Sequence, residues 1–274
     1  MAIARSNNAI SWPVFAALVK SQNTSKLIFY DFENNKLTPY YRDSYSMNSV
    51  SSYGSDGGKF LFTSTKNSEK YALYYYDYYQ DIEKKIFEYD GILNAPFRIS
   101  DTYCALSPNS KTKKQNYNYY LICNGVNTKI RLFDYYSYYN QNGENAIFVD
   151  KVGFGSSVYK VFEESGVIKY TKTNIPFFSN IFSIISNDNG LFMINRGTSS
   201  ISVYNFVNEE VILLKKYEKL EYPCPELDNY IKIISLDIEK IVGSRVNDEK
   251  NGFEFFICRL DKFAKSDRIQ MKIE

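Results

Sequence analysis

Apolar residues gather along this chain in short, nearly unbroken runs, and most of these runs end on an acidic or amide side chain. The clearest are residues 27–31 (LIFYD), 73–77 (LYYYD), 130–134 (IRLFD), 201–205 (ISVYN) and 256–261 (FICRLD). Each leads into a polar turn and a shorter apolar stretch, at 36–38, 84–87, 146–149, 211–214 and 268–273. Strands with one wet face alternate apolar and polar residues, whereas continuous runs this short predict strands buried on both faces. The stretch 55–88 shows the grammar most fully: a Ser-Asp-Gly-Gly turn, a strand at 59–65, a hairpin, a strand at 71–76 ending on Asp77, and a short strand at 84–87.

A second signal precedes the inner strands. Ser-led turns stand at 55–58 (SDGG), 107–109 (SPN), 186–190 (SNDNG) and 235–237 (SLD), ahead of expected strands at 60–65, 119–123, 191–195 and 241–245. Such residues supply positive φ angles or side-chain bonds to turn amides. The widest interval, from Asp134 to Asn205, hides a further hairpin at 157–162 and 167–171. That makes six units of about 46 residues, the repeat length of a four-stranded propeller blade. Together the two signals resemble the TolB-like and WD40-like propeller repeats, in which a Ser-Pro-Asp-Gly turn leads one strand and a hydrophobic-Asp pair ends the next. No Trp-Asp pair occurs, since the single Trp12 lies elsewhere. The resemblance implies an all-β β-propeller of about six four-stranded blades, with five or seven also fitting the length, as one domain over 1–274. Residues 211–220 (VILLKKYEKL) are the best helical stretch, but their β-branched start and place in the repeat favour a strand. The apolar run at 10–19 reads as the first core strand rather than a leader, because Pro13 interrupts it and Lys20 closes it.

Composition sharpens this picture in two places. Twenty-six Tyr and 20 Phe favour pleated, half-buried surfaces over helix. Histidine is absent, which removes Ser-His-Asp and Cys-His catalysis and the usual near-neutral base. Net charge is +2 with both signs interspersed, so no concentrated basic face marks a nucleic-acid binder. The one basic cluster, Lys111, Lys113 and Lys114, reads as a solvated loop. No run approaches a membrane-spanning length. The four cysteines, Cys104, Cys123, Cys224 and Cys258, lack a C-x-x-C pair. They read as free thiols in a reducing, cytoplasmic compartment, the alternative being a Cys104–Cys123 bridge between neighbouring strands.

Candidate chemistry is sparse. Asp31, Asp77, Asp134 and Asp261 suit turn capping better than a carboxylate ring. Residues 187–190 (NDNG) lack the spacing of a calcium loop, and 153–155 (GFG) does not join a strand to a helix as a phosphate loop must. Cys224, between two prolines, has no histidine to act as its base. The Tyr clusters at 74–79, 117–120 and 135–139 face the core in part and remain open between core and interface roles. No catalytic, cofactor or metal residue is therefore assigned. The expectation is a non-enzymatic platform binding another protein or complex, with no cofactor, no nucleic acid and no membrane insertion. The alternatives are a glycan-binding or carbohydrate-active propeller, or a virion component. Two long segments, 110–118 and 135–145, are expected on one face as first-to-second and third-to-fourth connections. They place the partner at Lys113, Lys114, Tyr136 and Tyr138.

Overall fold

The structure is a computed structural model of the chain. It describes residues 2–21, 24–40, 45–54, 57–66, 70–108, 119–131, 138–141, 143–152, 155–176, 181–187, 190–196, 200–207, 210–218, 232–236, 240–246, 252–259 and 266–272. The described residues contain strands and turns and no helix. The chain divides into two compact units, Met1–Lys151 with Ser157–Lys172, and Val152–Ser156 with Thr173–Glu274.

Strands pair with their chain neighbours throughout. Ala2–Ser11 (β1), Val14–Ser21 (β2), Thr24–Asp31 (β3) and Lys36–Tyr40 (β4) make the first antiparallel sheet in that order. Tyr45–Ser52 (β5), Lys59–Lys66 (β6), Tyr71–Asp77 (β7) and Ile82–Tyr89 (β8) make the second. Asn94–Ile99 (β9), Thr102–Pro108 (β10), Tyr119–Cys123 (β11) and Val126–Arg131 (β12) make the third. Tyr138–Gln141 (β13), Asn145–Val152 (β14), Gly155–Glu164 (β15) and Val167–Pro176 (β16) follow as the fourth. In the second unit, Ile181–Asn187 (β17), Gly190–Arg196 (β18), Ser200–Val207 (β19) and Glu210–Glu218 (β20) form one sheet. Lys232–Leu236 (β21), Lys240–Val246 (β22), Gly252–Arg259 (β23) and Ser266–Lys272 (β24) form the other. Six consecutive four-stranded meanders among the described residues make the fold all-β, of the β-propeller class.

Burial follows the continuous runs. Val14 to Val19 on β2 and Leu27 to Tyr30 on β3 are all buried, so both faces of these strands pack against apolar neighbours. The last strand of the second sheet, β8, has no buried residue and mixes half-buried with exposed positions. This gradient from inner to outer strand explains why the inner runs read apolar and the outer ones read mixed. Between the first and second sheets, Leu18, Leu27, Phe29, Met47, Phe60 and Phe62 belong to one core. Between the second and third, Leu61, Leu73, Leu93, Ala105 and Ile122 form another. Buried polar groups tie the second and third sheets together. Thr63 Oγ1 donates to the Leu93 carbonyl at 2.9 Å, and the Ala95 amide donates to Ser49 Oγ at 3.1 Å.

Three expectations are corrected. The run at 10–19 is a hairpin rather than one strand, because Pro13, after a cis Trp12–Pro13 bond, occupies the turn between β1 and β2. In the third sheet the expected frame is one strand out. Residues 119–123 form its third strand, residues 130–131 end its fourth, and residues 146–149 belong to β14 of the next sheet. The reason is local: Ser107 and Pro108 close β10 instead of leading a strand, while a tight turn with Ser100 at φ 51° joins β9 to β10. Segment 109–118 therefore joins second to third strand, and 132–137 joins one sheet to the next, so neither is the connection expected. Finally, Cys104 and Cys123 are not free. They stand opposite each other on β10 and β11 with Cα atoms 4.2 Å apart, and they form a disulfide.

Candidate functional site

Two turns, each joining the third to the fourth strand of its sheet, are built alike. In the first, Asp31 is buried and accepts hydrogen bonds from the backbone amides of Glu33 at 3.0 Å and Asn34 at 3.1 Å, and from Asn34 Nδ2 at 2.8 Å. In the second, Asp77 is buried and accepts from the amides of Tyr79 and Gln80, both at 3.1 Å. Four residues on from each aspartate the backbone turns left-handed, at Asn35 (φ 49°) and Asp81 (φ 51°), residue types that tolerate this conformation. The tyrosine before each aspartate then reaches across the turn. Tyr30 Oη donates to Asn35 Oδ1, and Tyr76 Oη donates to Asp81 Oδ1 at 2.9 Å. Each turn is also tied to the neighbouring hairpin turn of its own sheet. The Phe32 amide donates to the Pro13 carbonyl and the Tyr78 amide to the Gly58 carbonyl, both at 3.0 Å. Asp31 and Asp77 thus cap turns, as expected; Asp134 and Asp261 lie outside the described residues.

These turns flank a cleft of about 820 Å³, within the usual range of small-molecule sites. Its working surface is formed by Lys36 and Tyr40 of the first sheet and Tyr76, Tyr78, Tyr79 and Asp81 of the second. The rings are held from behind. Phe29, wholly buried, stacks on Tyr76 at 5.1 Å and packs against Tyr78 at 5.6 Å. Tyr40 meets Tyr76 edge-on at 4.9 Å, and its hydroxyl is bonded to Glu83. Thr38 Oγ1 and Tyr78 Oη lie 3.1 Å apart, joining the two sheets at the cleft. Tyr79 is half exposed and rests on Gly58, where a Cβ atom would come within 3.0 Å of its ring. Glycine at 58 is required both by that approach and by its φ of +64°.

Electrostatics keep the Tyr79 and Tyr30 phenols neutral. Burial, the carboxylates of Asp31 and Glu33, and a hydrogen bond to Asp31 push the Tyr79 hydroxyl up to about 12. Burial and the adjacent Asp31 likewise raise Tyr30. The cleft presents the half-exposed ring of Tyr79, the part-buried ring of Tyr78 and the exposed ammonium of Lys36. Its carboxylates at Asp31 and Asp81 are engaged by the turn amides and by Tyr76. Such a surface stacks and hydrogen-bonds a polar ring-shaped ligand. Among the described residues no group of three or more carboxylate or thiol side chains is gathered to hold a metal ion.

Of the residues expected at an interface, Lys113, Lys114 and Tyr136 lie outside the described residues. Tyr138 begins β13, opposite Val149 on β14. Sequence reasoning missed Lys36, Tyr40 and the role of Tyr78 and Tyr79. The available signal was the repeated Tyr-Asp pair closing β3 and β7, which places the next two residues at equivalent positions on one edge.

No family model matches this chain, and no curated protein does. Solved structures do share its fold. Oligogalacturonate lyase from Vibrio parahaemolyticus is 13% identical with a TM-score of 0.53, over 94% of this chain and 78% of that one. TolB from Acinetobacter baumannii is 13% identical with a TM-score of 0.51, over 95% of this chain and 64% of that one. An acylaminoacyl peptidase from Pyrococcus horikoshii is 9% identical with a TM-score of 0.51, over 99% of this chain and 46% of that one. The TolB-like resemblance in the repeats is thus matched in three dimensions. The expectation of a non-enzymatic platform is overturned, because proteins of this fold include a lyase and a peptidase. The physical error is plain: lack of histidine removes one set of catalysts and leaves carboxylate, phenol and ammonium chemistry untouched.

Proposed function

We propose that this protein is a carbohydrate-active propeller that holds an oligosaccharide in the cleft between β4 and the turn after β7. The observation that carries this reading is the cluster of Tyr40, Tyr76, Tyr78 and Tyr79 beside Lys36, with rings braced by Phe29 and the Tyr79 phenol held neutral by burial and the Asp31 carboxylate. Sugar rings present apolar C–H faces rimmed by hydroxyls, which suit aromatic stacking combined with neutral donors and a single cation. The likeness to oligogalacturonate lyase adds a substrate class to test, sugar acids in short polymers. The reading assigns the cleft to gripping the sugar and gives it no bond-breaking step.

Calorimetric titration with oligogalacturonate and with neutral oligosaccharides of equal length tests this. Binding by at least one is expected. Replacing Tyr78 and Tyr79 by the Phe and Glu found at the equivalent positions of the first turn should weaken binding at least tenfold, about 1.4 kcal/mol. The melting temperature should change little, because the turn amides still cap on Asp77. Unchanged affinity in this variant, or no affinity for any of these sugars in the parent, removes the proposal.

A further inference from the structure

The charges around the cleft are unequal. Asp31 and Asp81 line it, Glu83 bonds the hydroxyl of its Tyr40, and Glu33, exposed in the turn after β3, acts on its Tyr79. Among the described lining residues Lys36 is the one cation. It stands directly across from Asp31 in the pairing of β3 with β4, so a carboxylate on the neighbouring strand offsets its charge at short range. The other lysines of the framing strands do not correct the balance. Lys59 is in register with Asp77, Lys85 is paired with Glu88 at 2.7 Å, and Lys26 lies toward the far end of β3. Lys84 follows Glu83 on β8 and so leaves the opposite face.

The two lining carboxylates differ in what they leave open. Asp31 is buried, and both of its oxygens accept donors from its own turn. Asp81 is exposed. Its Oδ1 accepts from Tyr76 Oη at 2.9 Å, and among the described residues no donor meets Oδ2. Tyr76 is itself stacked on the buried Phe29, so the carboxylate is held in place with one oxygen facing the ligand space. A carboxylate ionised at neutral pH accepts hydrogen bonds and cannot donate them. A sugar hydroxyl donates to it in a charge-assisted bond. The carboxylate of a sugar acid is also an acceptor only, and it meets a like charge with no proton to share. Aromatic walls of low dielectric sharpen that repulsion. The field is felt inside the cleft: after burial, Asp31 and Glu33 contribute most to raising the Tyr79 hydroxyl to about 12.

We propose that the cleft selects its sugar by charge, taking an oligosaccharide without acidic groups and excluding sugar acids, with Asp81 Oδ2 as the acceptor that makes the selection. This rests on the carbohydrate reading above and narrows it to one ligand class. Lys36 donates to hydroxyl or ring oxygens of the same sugar, a role that needs no anionic partner.

The test uses two matched pairs that differ only at the C6 group: oligogalacturonate with its uncharged methyl ester, and C6-oxidised cello-oligosaccharide with its unoxidised parent. Each is titrated by calorimetry at low ionic strength and neutral pH. In any pair that binds, the uncharged member should bind at least tenfold more tightly, a difference of about 1.4 kcal/mol. Asp81→Asn keeps an acceptor for Tyr76 and a residue type that tolerates the left-handed backbone, so its melting temperature should hold. It should bind the acid more tightly than the parent protein does and narrow the preference by about threefold or more. Asp101→Asn, which removes an exposed charge on the turn between β9 and β10, should leave the preference unchanged. Equal or tighter binding of the acid by the parent protein overturns the selection and leaves the carbohydrate reading standing. A full preference retained in Asp81→Asn, or one narrowed as much in Asp101→Asn, removes Asp81 from the role. Binding of no member of either pair refutes the carbohydrate reading, and this inference with it.

Discussion

The turns at residues 30–35 and 76–81 have nearly the same backbone and do different things. Both are capped by a buried aspartate, both turn left-handed at the last position, and both are crossed by a tyrosine hydroxyl. They part at the two positions after the aspartate. In the first turn Phe32 stacks on Trp12 at 5.4 Å, closing that edge against its own sheet, and Glu33 is exposed. In the second, Tyr78 and Tyr79 form a wall of the cleft. The residues that build the turn are repeated; those that build a surface are not. The same divergence holds two positions before each aspartate. Phe29 is wholly buried, and its counterpart Tyr75 is half-buried against Tyr53.

The largest expected effect tests that last pair. Phe29→Ala empties a site enclosed by Tyr40, Phe60, Tyr76 and Tyr78 and should cost about 3–5 kcal/mol in denaturant unfolding. Tyr75→Ala, at the equivalent but half-exposed position, should cost clearly less. Equal losses would mean that the two positions are both core and that the comparison is misdrawn.

A smaller effect is expected at the shared caps. Asp31→Ala and Asp77→Ala each strand at least two turn amides, a loss of about 2 kcal/mol, read as a fall in melting temperature. Asn at either position keeps an acceptor oxygen and should restore part of it. If only one turn responds, the two are alike in backbone but not in what holds them.

The smallest effect is a titration. Tyr75, Tyr79 and Tyr103 are each raised from 10.0 to about 12. A folded value above the unfolded one means that their contribution to stability is complete below pH 10 and is lost as pH rises through about 12. Ultraviolet titration of tyrosinate should show late-ionising phenols, one fewer in Tyr79→Phe. Ionisation of all tyrosines together near 10 would mean that burial and the nearby carboxylates do not hold Tyr75, Tyr79 and Tyr103 neutral.

Much of the fold was legible beforehand because burial on both faces leaves a mark in every inner strand. LIFYD and LYYYD read as strands ended by a capping aspartate, and they are. The third sheet was misframed because Ser107-Pro108-Asn109 carries the composition of a leading turn, yet Ser107 and Pro108 close β10, where pairing with β11 overrides it. The cleft was illegible for a different reason. Nothing local marks Lys36 or Tyr40 as partners of Tyr78 and Tyr79, since the two groups lie on different sheets. The Cys104–Cys123 bridge sits between these cases: the candidate pair was visible, and only the direct opposition of β10 and β11 decided it.

By itself the sequence determined what short-range physics controls. That is where most inner strands run, the capping by Asp31 and Asp77, and that six meanders repeat. Tertiary structure decided which tyrosines of a run such as YYYDYY sink into a core and which line a surface. Alternation assigns a side chain to a face of its strand. What that face meets is set by the neighbouring sheet: Phe29 behind Tyr76 on one side, Arg98 over Tyr53 on the other.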